Sequence, residues 1–351
     1  MSNILAFPAV DVSEPENVMR RLLQSFATER RPLDDVFWLK ENAELLGILA
    51  TTNLKFEPAA LDVFNGFYSQ IEERLRFFPQ YYRFLLSICL DLEDLGMKGE
   101  KGVSLCSAIA RSGAIEAELS DLQRAEARRL MSRRNAAELP SKGALGRRLR
   151  AFISRSETFA MPNKKAAYEL THIVFYLSEY GRVDPELDAA ALTSLEFAGV
   201  LAFLDQNADL LAEICTALRF AGRTPSPIWE DAIGAAHRNI VPTSDPKNVD
   251  AYHAFLVTGW AQAIAGRATF RSALPDGSVF FDAPVGLQST LRPLSACLFD
   301  LGHDRCADWG KMRGHVLPYL GEEGHQVLCQ AEESTDMFGA FFEGFARAAR
   351  F

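Results

Sequence analysis

The stretch YELTHIVFYLSEYG, Tyr168 to Gly181, decides how the rest of the chain is read. Asn163, just after Pro162, is a suitable N-cap, because its side chain can accept a hydrogen bond from a backbone N–H that the first helical turn leaves unpaired. Leu170, Ile173, Val174 and Leu177 then recur at three- and four-residue spacing and share one helical face. Gly181 closes the run, where a chain leaving a helix commonly turns left-handed.

The pattern recurs in altered form. Tyr82 to Gly96 reads YRFLLSICLDLEDLG, Ala208 to Gly222 reads ADLLAEICTALRFAG, and Tyr252 to Gly266 reads YHAFLVTGWAQAIAG. A fifth copy, Ser289 to Gly302, carries Pro293 inside it. From Gly181 onward the closing glycines are spaced by 41, 44 and 36 residues, and Gly96 to Gly181 is 85, about two periods. Periods near forty with two helices each indicate a helical repeat, in which no single hairpin buries its own face. The segments 186–205 and 228–239 supply the partner helices. The expected fold is all-α: repeated hairpins forming an α/α toroid or a curved α-solenoid, with a small β-hairpin excursion at 267–284 around Pro275-Asp276-Gly277. Asp245-Pro246 is expected to open the helix that carries His253. Residues 1–13 are expected to be a flexible arm, and 14–351 one domain.

With 351 residues, 48% apolar and 24% charged, the composition is that of an ordinary globular chain. The six cysteines mostly fall in apolar helical stretches without a C-x-x-C pair, which points to free thiols in a reducing, cytoplasmic setting. The first ten residues have no basic run ahead of an apolar one, and no segment reaches membrane-spanning length. A net charge of −9 disfavours a nucleic-acid binder. Residues 121–155 depart from that balance, with ten Lys or Arg against three Asp or Glu. Arg124, Arg128, Arg129, Arg133, Arg134, Arg147, Arg148 and Arg150 there could dock an anionic partner or form a solvated helix face.

Aligning the four helices on their closing glycines gives a candidate site. Nine residues before the glycine stand Ser87, His172, Glu213 and Val257; thirteen before it stand Arg83, Tyr168, Asp209 and His253. Positions four apart share a helical face, and equivalent inner-helix positions in successive repeats become neighbours. Tyr168, His172, Asp209, Glu213 and His253 are therefore expected to meet as a catalytic group. One turn on, Phe175, Tyr176, Thr216 and Trp260 are expected to line a substrate pocket. A carboxylate beside an imidazole fixes its tautomer and raises its basicity, which is acid–base chemistry near neutral pH. The alternative is a solvent-facing polar stripe.

A metal reading competes with this one. Glu169-x-x-His172 and Glu322-x-x-His325 have the spacing of helical di-iron carboxylate proteins, and His172, Glu213 and His253 could hold one zinc or iron ion. His237, His303 and His315 are expected to be structural. The chain has no G-x-G-x-x-G after a strand, no phosphate loop, no G-x-S-x-G and no H-E-x-x-H. No cofactor is named by any motif.

The pattern Y-x-L-T-H-x-x-F-Y-x-x-x-x-G at Tyr168–Gly181, with FFPQYYRFLLSICLDLEDLG and the helices LLAEICTALRFAG and YHAFLV, resembles a family of bacterial helical proteins of uncharacterised function. Its shape is similar to terpene-cyclase-type α/α toroids. With no D-x-D-D and no carboxylate-rich diphosphate motif, that resemblance implies architecture and not cyclase activity. Two functional classes follow: an enzyme transferring protons on a small apolar or peptide substrate, or a helical scaffold that binds a protein partner.

Overall fold

The computed structural model describes residues 15–52, 54, 56–135, 143–284 and 288–348. The expected arm, residues 1–13, lies outside them. The α-helices are α1 (Pro15–Gln24), α2 (Val36–Ala50), α3 (Asn65–Phe77), α4 (Tyr82–Asp94), α5 (Lys101–Ser112), α6 (Asp121–Ser132), α7 (Gly143–Ile153), α8 (Ser156–Phe159) and α9 (Lys164–Leu177). They continue with α10 (Ala189–Leu204), α11 (Ala208–Phe220), α12 (Pro227–Asn239), α13 (Tyr252–Ile264), α14 (Leu291–Asp300), α15 (Trp309–Val316), α16 (Glu322–Glu333) and α17 (Phe338–Phe345). The fold is all-α, with one small two-stranded sheet among the described residues.

Six helices touch one another in cyclic order. α2 packs on α4, α4 on α6, α6 on α9, α9 on α11, α11 on α13, and α13 returns to α2. The others pack around them: α3 and α5 on α4, α7 on α6 and α9, α10 on α9 and α11, and α12 on α11 and α13. α10 and α12 are the partner helices expected at 186–205 and 228–239. α16 and α17 lie against α10, and the phenylalanines Phe338, Phe341, Phe342 and Phe345 are all buried. Each such ring stabilises the fold by roughly 1.5–3 kcal/mol relative to exposure.

The local reasons match the sequence at several points. Asn163 does cap α9, accepting from Ala166 N–H at 3.1 Å. Gly96, Gly222 and Gly266 have positive φ, and the next residue's N–H bonds a carbonyl five back, at 2.9 Å from Met97 to Leu92, Arg223 to Leu218 and Arg267 to Gln262. That is the Schellman closure. Gly181 differs. α9 stops at Leu177, Glu179 and Tyr180 already have positive φ, and Tyr180 N–H bonds Phe175 carbonyl at 2.8 Å. Gly181, at φ +82°, follows that closure, because a Cβ there would stand 2.5 Å from the Phe220 ring. α9 is thus offset by two residues from the register that its glycine suggests.

Other expectations are corrected. The fifth copy, α14, lies outside the cyclic set and packs on α15 and the Leu317–Tyr319 turn. Segment 267–284 supplies one strand, β2 (Phe280–Asp282), and its antiparallel partner is β1 (Val241–Thr243), not a strand across the Pro275–Gly277 turn. That turn is gripped instead: Arg21 donates to the Pro275 and Gly277 carbonyls at 2.6 and 2.7 Å, and Ser278 donates to Glu29 carbonyl at 2.7 Å. It clasps the N-terminal helices. Asp245-Pro246 does not open α13, which begins at Tyr252. The helix start is set by β2 instead: Ala251, the N-cap, donates its N–H to Phe281 carbonyl, and Asp250 accepts from Phe281 N–H. Buried Arg30 ties both ends together, bridging Glu41 at 2.9 Å and Asp250 at 2.6 Å and bonding Val279 carbonyl.

Candidate functional site

Helices α9, α11, α13 and α2 each carry part of the candidate site. Tyr168 on α9 donates its hydroxyl to Asp209 Oδ2 on α11 at 2.9 Å. The same oxygen lies 3.5 Å from His253 Nε2 on α13. His253 Nδ1 meets Glu44 Oε1 on α2 in a short contact. One turn along α9, His172 Nδ1 lies 2.7 Å from Tyr168 carbonyl and 3.7 Å from Glu213 Oε2. Thr171 donates to the same Glu213 oxygen at 2.6 Å. The five residues expected to meet are therefore brought together, although Arg83, Ser87 and Val257 of the same alignment are not part of the group. Arg83 binds Glu118 at 3.0 Å and also Glu126, Ser87 donates to Asp91 at 3.1 Å, and Val257 is buried.

Each ionisable group is set by its surroundings. Burial opposes charge on His253, but the Glu44 hydrogen bond and the charges of Glu44, Asp209 and Glu213 outweigh it and raise its pKa to about 9. It is an imidazolium at neutral pH with both nitrogens facing carboxylates, a fixed cation within the group. Burial pushes Glu213 above the usual carboxylate range, against the pull of His172, Thr171 and His253. Burial, and then Asp209, push the Tyr168 phenol well up. His172 is different in kind. A carbonyl only accepts, so the bond to Tyr168 places a proton on Nδ1, and in the neutral ring the Nε2 lone pair is then open. No described side chain bonds Nε2, and the His172 side chain is 35% exposed.

The residues expected to line a substrate pocket divide. Tyr176 is half-buried, with its ring centroid 6.1 Å from that of His172. Phe175, Thr216 and Trp260 are buried. Phe175 and Trp260 pack at 5.0 Å with Tyr180 and Phe220 around them, and Thr216 donates back to Ala212 carbonyl at 2.9 Å. They form a packed floor. Tight packing of four rings leaves no space for a ligand between them. The buried Trp260 indole N–H has no hydrogen-bond partner among the described residues.

Sequence reasoning missed Glu44 and Thr171. α2 ends in Ala50-Thr51-Thr52 without a glycine, so it fell outside the alignment. The available signal was the pair Glu41 and Glu44 within a largely apolar helix, VFWLKENAELLGILA. The metal sets do not assemble. Glu322 and His325 are exposed on α16, and among the described residues no three His, Cys, Asp or Glu side chains are grouped to hold a metal ion. The basic region is largely neutralised from within: Arg124 and Arg148 hold Asp121, Arg129 meets Glu179, and Arg133 and Arg134 hold Asp91, Glu93 and Asp94. His237 is structural, bonded to Thr258 and Thr269 at 3.0 Å each and pushed down to about 4 by burial.

The profile of a family described as a domain of unknown function, DUF6902, matches residues 1–348. The chain belongs to this family. No curated protein and no solved structure matches the DUF6902 chain. No helix of the described residues is long and apolar enough to cross a membrane.

Proposed function

We propose that the DUF6902 protein is an enzyme that moves a proton to or from a small apolar or peptide substrate, with His172 as the base. One observation carries this: Nδ1 is committed to a carbonyl, a carboxylate stands 3.7 Å behind it, and Nε2 is left open. The Tyr168 carbonyl holds the ring, and such a carboxylate stabilises the imidazolium that forms when Nε2 takes a proton. Glu213 is that stabilising carboxylate. His253 supplies a fixed positive charge, Asp209 links it to Tyr168, and Tyr176 stands where it would contact bound substrate. The cyclic contacts of the six helices support a closed α/α ring around this group, and six unpaired thiols support a reducing, cytoplasmic setting.

Two experiments test the proposal. Long-range proton–nitrogen correlation NMR on the wild-type protein is expected to place the His172 proton on Nδ1. Proton transfer itself is read as deuterium entering a panel of small ketones, aldehydes and peptides in heavy water. Wild type is expected to outpace His172→Gln, with Glu213→Gln intermediate. A His172 proton found on Nε2, or equal deuterium uptake by all three proteins, removes the case for a base.

A further inference from the structure

A second concavity lies on the outer side of α4, between α3 and α5. It encloses about 530 Å³, within the size range of small-molecule sites. Leu75, Leu105 and Ile109 contribute an apolar lining, and two guanidiniums, Arg76 and Arg111, share the same cleft. Both are exposed, and neither makes a hydrogen bond or ion pair among the described residues. Arg76 does lie in the field of Glu72, the acidic residue of the cleft. That carboxylate is already engaged: Ser104 donates to it at 2.8 Å and Lys101 Nζ stands 3.4 Å away. The Tyr82 hydroxyl is taken by Glu118 at 2.6 Å. Pro79 and Tyr82 bring the start of α4 to the cleft, and its N-cap, Tyr81, supplies no side-chain acceptor. A local excess of unpaired cations in a chain of net charge −9, beside an apolar wall, selects a ligand with both characters.

We propose that this cleft binds a small amphiphilic anion, an alkyl carboxylate, with its head between Arg76 and Arg111 and its chain along Leu75, Leu105 and Ile109. Guanidinium forks suit a carboxylate, and the apolar wall accounts for a tail. The probe is decanoate, kept below its micelle-forming concentration and titrated calorimetrically into the full chain at low salt. Saturable binding at one site is expected. The double variant Arg76→Gln/Arg111→Gln is expected to weaken it about tenfold or more, since charge-assisted contacts are lost. Decanol and acetate, each carrying half of the ligand, are expected to bind far more weakly. Both arginines are exposed, so the variant's urea midpoint should match wild type. Equal affinity of wild type and variant for decanoate, or of wild type for decanol and decanoate, overturns the proposal. So does arginine-dependent binding to phosphatidylglycerol vesicles without decanoate binding, which would make the surface a membrane contact.

Discussion

The Glu44–His253 pair predicts a specific loss of stability as pH rises. Glu44→Gln keeps the size of the side chain and removes the charge that faces His253 Nδ1. In the folded protein the imidazole pKa is raised from 6.5 to about 9, so folding favours the protonated form. The contribution is complete below pH 6.5 and disappears as pH rises through about 9. At 1.36 kcal/mol per pH unit the rise corresponds to about 3.4 kcal/mol for a fully shielded group. The His253 side chain is 40% exposed, and solvent screening reduces this to about 1–2 kcal/mol. Urea unfolding of wild type and variant at about pH 6 and about pH 9.5 measures it, because other titrating groups cancel in the difference. Wild type is expected to be the more stable at the lower pH, with the gap closing at the higher. NMR titration of the His253 ring protons gives the pKa directly. A midpoint at or below 6.5, or an unchanged gap between the two proteins, refutes the inference that carboxylates hold this residue cationic.

Three further outcomes are expected. Arg30→Met leaves the half-buried Asp250 without its cation and the buried Glu41 with Arg31 alone, and should cost about 3 kcal/mol in urea unfolding, with partial recovery when Glu41→Leu is added. Gly181→Ala places a methyl group against Phe220 at a left-handed position, and a loss of about 2–4 kcal/mol should appear as a lowered Tm. With a disulfide-exchange reagent, Cys306 and Cys329 should react in the native protein, while Cys89, Cys106, Cys215 and Cys297 should wait for unfolding, since burial both covers them and holds their thiols protonated.

How much of this was legible in the chain can be traced residue by residue. Helix spacing, the Asn163 cap and the glycines at 96, 222 and 266 are local features, encoded by side chains within a turn or two, and they identified the all-α class and the main helices. The same register brought Asp209 and His253 together, because two helices that end in the same closure present equivalent turns to each other. Where closure depends on a partner, local rules failed. Gly181 is a glycine because Phe220 from another helix presses on it, so it marked the wrong end residue for α9. Asp245-Pro246 looked like a helix start, but Phe281 pins Asp250 and Ala251 just ahead of Tyr252, where α13 begins. β2 paired with a strand nearly forty residues earlier and not across its own turn.

The charge state of the site lay further out of reach. Glu44 and His253 are 209 positions apart, and only the return contact of α13 on α2 makes one the partner of the other. The sequence by itself determined which segments are helices, which face of each is apolar, and which side chains capable of proton transfer lie on those faces. The tertiary structure alone decided that His253 is a clamped cation, that His172 keeps an open nitrogen, and that three of the expected pocket residues are packed floor. Helix propensity acts between near neighbours, whereas burial and Coulomb interactions act between whatever the chain brings close in space.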